Sequence, residues 1–163
     1  MSAAGAGRLI VCPTPIGNLE DITLRTLAAL READVIACED TRTSKVLLDR
    51  YGVSAERVRY DAHAERRAAP RLVDRMLGGV TVALVSDAGM PLVSDPGLIL
   101  VQAAVAAGLA VEVLPGPSAA LTALVVVLFA PQLSRSAEAA GVVAGLTGVP
   151  ANDLYAAIVA GDS

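Results

Sequence analysis

Short apolar runs alternate along the chain with segments of helical periodicity. Four runs are rich in aliphatic and β-branched residues, as is typical of strands buried on both faces, and they lie at residues 8–12, 34–38, 81–85 and 109–114. We expect the short run at 58–60 to form a further strand, the third along the chain. A helical segment follows each run, and this repeated order predicts an α/β fold. We expect a five-stranded, mostly parallel sheet with helices on both faces and right-handed crossovers.

The predicted helices differ in how clearly they begin. Asp21 is suited to cap the first helix. Its apolar face is expected to comprise Leu24, Leu27, Ala28 and Leu30. Residues 65–77 form an amphipathic segment that stops at two glycines, but Pro70 lies inside it. Because proline lacks the amide hydrogen of a helix interior, we expect Pro70 to interrupt this helix.

The pattern changes near the C-terminal end of the sequence. The run at 125–129 (VVVLF) favours a strand by its β-branching, although it follows a predicted helix without a turn. Residues 134–146 and 151–160 then read as a short helical hairpin. We therefore expect an α/β domain over residues 1–124. Residues 125–163 would hold a remnant strand or helix and the hairpin.

Composition narrows the classes of function. Hydrophobic residues make up 54% of the 163 residues, which is enough to bury a core, whereas aromatic residues make up 2%. Stacking platforms for single-stranded nucleic acid are therefore excluded. The net charge is −4, yet eleven of the 13 Lys and Arg residues lie between Arg25 and Arg75. This cluster fits either solvated helix faces or contacts to phosphate.

The residues that commonly bind metals or act as nucleophiles are sparse. The chain has one histidine, His63, and two separated cysteines, Cys12 and Cys38, so no metal site is expected. No P-loop, dinucleotide fingerprint or nucleophile elbow occurs. The two apolar cysteines, without a secretory signal or an apolar stretch long enough to cross a membrane, predict a cytoplasmic protein.

Three loops rich in glycine and proline follow the first, fourth and fifth predicted strands. They occupy residues 13–19, 86–97 and 115–118. In a parallel sheet these loops would lie along one edge, where a ligand can approach the backbone closely. A nucleoside-bearing cofactor suits such a place. Gly and Pro also end strands for purely structural reasons.

Five segments, in order, carry a resemblance to a known family. They read LIVCPTPIGN (9–18), DITLRTLAA (21–29), ADVIACEDTR (33–42), LVSDAGMPLVSDPG (84–97) and LPGPSAALTA (114–123). Together they resemble the tetrapyrrole methylase superfamily. More narrowly, they are similar to its small-subunit ribosomal RNA methyltransferase branch, which methylates the 2′-oxygen of a cytidine in 16S rRNA. The resemblance implies the N-terminal half of the tetrapyrrole methylase fold.

The resemblance also implies a cofactor, a substrate and site residues. S-adenosylmethionine would be the methyl donor, 16S rRNA in the small ribosomal subunit the partner, and a homodimer the assembly. The cofactor would be bordered by Pro15, Gly17, Asn18, Asp87, Ala88, Gly89, Pro115, Gly116 and Pro117. The RNA side would hold Glu39, Asp40, Thr41 and Arg42. Glu39, Asp40 and His63 all remain candidates for the general base.

One departure from the family pattern keeps other functions open. Members of the branch normally continue after a segment such as LPGPSAALTAL through a second domain of roughly a hundred residues. Here residues 125–129 pass almost directly into the terminal hairpin. A non-catalytic remnant or cofactor-binding module is therefore an alternative. A methyltransferase acting on a tetrapyrrole-like small molecule is another.

Overall fold

Five parallel strands form a single sheet in the computed structural model, which describes residues 5–92 and 96–129. The spatial order is β3-β2-β4-β1-β5. The strands are β1 (Arg8–Cys12), β2 (Val35–Cys38), β3 (Glu56–Arg59), β4 (Val82–Val85) and β5 (Ala110–Val113). All four pairings are parallel, which confirms the predicted fold class.

Each strand is followed by a helix. The helices are α1 (Leu24–Glu32), α2 (Thr41–Arg50), α3 (Glu65–Leu77), α4 (Leu98–Ala106) and α5 (Ala119–Phe129). One compact unit ends at Pro117, and a second begins at Ser118. The domain boundary expected after residue 124 falls inside α5 and stays a prediction. The hairpin predicted over residues 134–160 lies outside the described residues.

The sheet is covered on both faces because its strands alternate their side chains between two apolar layers. One layer joins Ile10, Ile36 and Val85 of the sheet to residues of α1 and α2. The other layer joins alternate strand residues to α3 and α4, including Leu72 and Leu100. Helices therefore pack in pairs on opposite faces, as the alternating sequence pattern predicts.

The strand order reverses between β1 and β4. From β1 the chain passes through α1 to β2, on one side of this strand pair. From β4 it passes through α4 to β5, on the other side and across the opposite face. Open α/β sheets bind ligands outside the carboxyl ends of the strands at such a reversal. The fold therefore locates a candidate site at the loops after β1 and β4.

The start of α1 differs from the sequence expectation. Thr23, not Asp21, is the N-cap, and its hydroxyl oxygen accepts a hydrogen bond from the Thr26 amide at 3.0 Å. Asp21 instead ends a short 3-10 turn. Leu24 is 84% exposed, and Ala28 is exposed too. The buried face comprises Thr26, Leu27, Ala29 and Leu30, so it is rotated about the helix axis relative to the expected stripe.

Pro70 does not interrupt α3, which is continuous from Glu65 to Leu77. The ring of an interior proline removes one helical hydrogen bond and costs about 3 kcal/mol. Ala69, Leu72 and Met76 are buried against the sheet, and packing of this apolar stripe outweighs the local cost. Pro70 itself is exposed, so the interrupted side of the helix faces solvent.

The run at 125–129 is helical and forms the second half of α5, so of the two expected alternatives, strand or helix, the helix is observed despite the β-branching. Extending an existing helix adds a hydrogen bond for each residue fixed, whereas a new element must first be nucleated. The lower helix propensity of valine amounts to only tenths of a kcal/mol per residue. Continuity with residues 119–124 therefore decides the conformation.

The two cysteines lie in strands of the buried sheet and are free thiols. Burial, with the negative charge of Glu112 adding to it, raises the pKa of Cys12 to about 12. Burial also raises the pKa of the Cys38 thiol. Both side chains therefore act as small apolar groups of the core. Within the described part of the chain, no helix is long and apolar enough to span a membrane.

We predict that Leu30→Ala lowers the free energy of unfolding by about 2–5 kcal/mol, because Leu30 is fully buried and its truncation leaves a cavity. Leu24→Ala, in the same helix but exposed, should change it by less than about 0.5 kcal/mol. Urea denaturation followed by circular dichroism measures both. Equal effects of the two substitutions would contradict the assigned orientation of α1.

Candidate functional site

Three loops meet at the carboxyl edge of the sheet because β4, β1 and β5 are neighbours. They are the glycine- and proline-rich loops singled out in the sequence, although residues 93–95 of the middle loop are not described. The sequence places them after separate strands, whereas the topology brings those strands side by side. This edge is the candidate site.

Backbone hydrogen bonds join the loops after β1 and β4. The Thr14 amide donates to the Gly89 carbonyl at 2.8 Å, and the Gly89 amide donates to the Thr14 carbonyl at 3.0 Å. The Thr14 hydroxyl donates to the Ser86 carbonyl at 3.0 Å. Ser86 is buried, and its hydroxyl lies 3.3 Å from the Gly89 carbonyl oxygen. These bonds hold the two loops in one arrangement.

Gly89 lies where all three loops converge. Its φ of 80° belongs to the left-handed region, which favours glycine. A Cβ atom there would lie 3.4 Å from the Ile16 Cγ2 atom and 3.9 Å from the Pro117 carbonyl oxygen. At Gly116, a Cβ atom would lie only 2.4 Å from the Pro13 Cγ atom. A side chain is therefore disfavoured at Gly89 by its backbone conformation and at Gly116 by the close approach of Pro13.

The nine residues expected to border a cofactor are all on these loops, with different exposure. Pro15 and Gly89 are buried. Gly116 and Pro117 are half-buried. The exposed members are Gly17, Asn18, Asp87, Ala88 and Pro115. The Asn18 side chain accepts a hydrogen bond from the Glu20 amide at 3.1 Å, so its carbonyl end shapes its own loop.

A cavity of about 60 Å³ lies beneath the loops after β1 and β4. Its polar wall includes Thr14, Ser86 and Asp87, and its apolar wall comes from α1 and α2. Pockets that enclose small-molecule ligands measure about 300–1,000 Å³. The cavity is therefore too small for a nucleoside. Among the described residues, the loops form an open surface for a ligand and not an enclosed pocket.

The acidic corner after β2 joins the same edge through Asp40. The Asp40 amide donates to the Asp87 Oδ1 atom at 3.2 Å. The Asp40 carboxylate caps α2 by accepting from the Arg42 amide at 2.8 Å, and it also accepts from the guanidinium Nη2 atom at 2.9 Å. These bonds and the charge of Arg42 lower the pKa of Asp40 to about 2. Asp40 is therefore a fixed anion.

The other corner residues have distinct surroundings. Arg42 forms an ion pair with Asp40, and its side chain remains 90% exposed. Glu39 and Thr41 are half-buried. Glu39 is the first residue after β2, and β2 pairs directly with β4. The structure thus brings the corner beside Asp87, as an arrangement at one edge of the sheet requires.

His63 lies further from the three loops. It follows β3, the edge strand, and β2 separates β3 from β4. The Asp61 carboxylate accepts hydrogen bonds from the His63 amide at 3.0 Å and the Ala64 amide at 2.8 Å. This local turn leads into α3. The structure therefore does not bring His63 to the loops that the sequence grouped.

Thr14 and Ser86 were missed by sequence reasoning, although both are buried where the loops join. The available signal is that each is a small polar residue within two positions of a buried strand end, and Thr14 lies between two prolines. A search for catalytic or binding motifs does not select such residues. Their role as connectors depends on which strands are neighbours.

No group of three or more histidine, cysteine, aspartate or glutamate side chains that could hold a metal occurs in residues 5–92 and 96–129.

Comparison with known proteins gives close relatives over the α/β part of the chain. A protein of Mesorhizobium japonicum named Ribosomal RNA small subunit methyltransferase I is 55% identical over 116 residues, covering 71% of this chain and 40% of the relative. The protein of that name from Escherichia coli O157:H7 is 48% identical over 118 residues, covering 72% and 41%. The matched part thus spans about two fifths of each relative. Their name confirms the branch that the five sequence segments resemble.

Solved structures agree on the fold. Uroporphyrin-III-C-methyltransferase from Thermus thermophilus is 26% identical, with a TM-score of 0.58 over 74% of this chain and 52% of that protein. A conserved hypothetical protein from Aeropyrum pernix K1 is 28% identical, with a TM-score of 0.60 over 72% and 43%. The family model for Tetrapyrrole (Corrin/Porphyrin) Methylases matches residues 8–162. The chain therefore belongs to the tetrapyrrole (corrin/porphyrin) methylase family.

Proposed function

We propose that the chain carries out S-adenosylmethionine-dependent 2′-O-methylation of a cytidine ribose in 16S rRNA of the small ribosomal subunit. The observation that carries this proposal is the joining of three loops at Gly89, directly beside the acidic corner of Asp40. The names of its relatives support RNA, not a tetrapyrrole, as the acceptor. We further propose a cytoplasmic homodimer as the working form.

The three loops fit the methyl donor because each presents exposed residues at this edge, among them Gly17, Ala88 and Pro115. Pro15, Gly17 and Asn18 would border the donor from β1. Asp87, Ala88 and Gly89 would do so from β4, and residues 115–117 from β5. The exposed Asp87 carboxylate suits hydroxyl or amino groups of a nucleoside. S-adenosylmethionine supplies a methyl group on a sulfonium, and alignment of that methyl with the acceptor oxygen accounts for much of the acceleration.

Removal of the ribose proton needs a base, and the three candidates are not equivalent. The Asp40 pKa of about 2 makes this carboxylate a weak base at neutral pH. His63 lies beyond β2, at the edge strand. Glu39 follows the strand that pairs with β4, and is thus adjacent to the proposed donor loops. We therefore assign the general base to Glu39 and a positioning role to Asp40.

Gly89→Ala should weaken S-adenosylmethionine binding at least tenfold, because a side chain is strained at its φ of 80° and relief of that strain would shift the hydrogen bonds to Thr14 that join the loops. Gly52→Ala is the matched control. Gly52 also has a positive φ, but nothing lies within 4 Å of its Cβ position. Both substitutions carry a similar backbone cost of about 1–2 kcal/mol. Isothermal titration with S-adenosylmethionine measures the affinities, and equal weakening by both would refute the proposed role of the loops.

Glu39→Gln should slow methyl transfer at least about 100-fold while S-adenosylmethionine still binds, since loss of a general base typically costs that much. Glu32→Gln, at an exposed glutamate paired with Arg8, is the control for the loss of one charge. Small ribosomal subunits and labelled S-adenosylmethionine are the substrates. Ribose methylation is read as resistance of one phosphodiester to alkaline cleavage.

The outcomes of this assay separate the candidate functions. Methyl transfer lost in His63→Asn but kept in Glu39→Gln would move the base to His63. S-adenosylmethionine binding without transfer to RNA by the unaltered protein would favour a cofactor-binding module. Label transferred only to a tetrapyrrole would favour the small-molecule enzyme.

Asp40→Asn should remove a pH-dependent contribution to stability. The pKa of Asp40 is about 2 in the folded protein against an ordinary value of 3.8, so the ionised form stabilises the fold above pH 3.8. This contribution is lost as the pH falls through about 2. Asparagine keeps the helix cap but not the charge. In urea unfolding, the difference in unfolding free energy between the two proteins should be constant near neutral pH and should shrink as the pH falls from 3.8 to about 2. A difference as large at pH 2 as at neutral pH would contradict this account.

A further inference from the structure

A groove of about 420 Å³ lies between the edge strand β3 and α3. Its floor consists of apolar or small residues, including Val58, Ala68 and Leu72. Its rim carries four arginines, Arg59, Arg67, Arg71 and Arg75, which together we name the arginine groove. This groove is separate from the loops proposed to hold the methyl donor.

The charge of the arginine groove is only half compensated. Arg75 forms a two-fold ion pair with Glu56, with N–O distances of 2.9 and 2.7 Å. Arg59 donates to Asp61 at 2.6 Å. Arg67 and Arg71 are exposed and form no ion pair with any described residue. Two guanidinium groups are therefore available to an anionic ligand.

The spacing of the arginines suits an extended anion. Arg67, Arg71 and Arg75 are four residues apart on α3, so they lie on one face at intervals of about 6 Å. The row is therefore about 12 Å long. Guanidinium groups bind phosphate oxygens through paired N–H donors. A linear series of phosphates matches this row better than a single compact anion does.

The arginine groove also begins at the edge of the sheet that carries the candidate site. Arg59 ends β3, and the strands are parallel, so Arg59 lies at the same carboxyl edge as Asp40 and Asp87. From there α3 runs back along the sheet and carries the row away from that edge. A strand of RNA lying along the row would have one end directed toward the edge of the proposed chemistry.

We propose that the arginine groove binds the phosphate backbone of the RNA substrate, with Arg67 and Arg71 making the direct phosphate contacts. This inference rests on the proposed function, because the acceptor named there is RNA. Contacts of this kind position a nucleic acid without reading its sequence. They also release counterions, so the affinity depends strongly on salt concentration.

The test uses the full chain carrying both Arg67→Gln and Arg71→Gln. Binding of a fluorescent single-stranded RNA is followed by anisotropy over a series of salt concentrations. The double variant should bind at least tenfold more weakly at low salt. The slope of log affinity against log salt should fall by about 1.4, since each phosphate contact on a single strand contributes about 0.7. Arg66→Gln is the matched control, on the same helix but outside the groove, and should keep the unaltered slope.

Several outcomes would overturn the inference. They are no RNA binding by the unaltered protein, an unchanged slope in the double variant, or an equal loss in Arg66→Gln. Tighter groove-dependent binding of polyglutamate than of RNA would assign the groove to an acidic protein instead. S-adenosylmethionine titration of each variant separates the two proposals. If the double variant binds S-adenosylmethionine but keeps the salt slope of the unaltered protein, the groove assignment is wrong and the proposed function stands. If the unaltered protein binds no S-adenosylmethionine and transfers no methyl group, the proposed function is wrong.

Discussion

The parallel pairing of β1 with β4 is the contact on which the rest of the structure depends. Leu9 to Cys12 pair in register with Val82 to Val85, although about seventy residues separate them. Because the crossovers leave this pair in opposite directions, it makes the point where the strand order reverses. Beyond the ends of these strands, an antiparallel bridge between Thr14 and Gly89 joins the two loops. A site at this edge is thus a consequence of sheet topology before any side-chain chemistry is considered.

Local pattern predicts the elements well because burial on both faces leaves continuous apolar runs, as in the segments that became β1, β2 and β4. It predicts details poorly where two local preferences compete. Asp21 and Thr23 are both good helix caps, and only packing selects Thr23. The β-branching of 125–129 and the ring of Pro70 are overridden by helix continuity and by burial. These are differences of about 1–3 kcal/mol, which tertiary contacts readily reverse.

The candidate site was predictable as a set of loops and not as a set of contacts. Glycine and proline marked the three loops, and the resemblance of the EDTR corner marked the fourth segment. The hydrogen bond from Asp40 to Asp87 depends on β2 lying beside β4, which no local pattern contains. The same neighbour relation separates the three candidate bases. Glu39 follows β2, which lies beside β4, whereas His63 follows β3, which is one strand further from β4.

The placement of arginine bears on the RNA substrate proposed for this acidic chain. The net charge is −4, but long-range repulsion between exposed charges is screened within about 8–10 Å at physiological salt. Whether each charge has an oppositely charged neighbour therefore matters more than the net charge of the chain. Arg42 is committed to Asp40, and Arg75 to Glu56, whereas Arg67 and Arg71 remain unpaired among the described residues. An apolar floor beneath them lowers the local dielectric, which strengthens their attraction for phosphate relative to a flat, fully hydrated surface. The position of these unpaired cations, more than the overall charge, thus decides where an anionic polymer can lie.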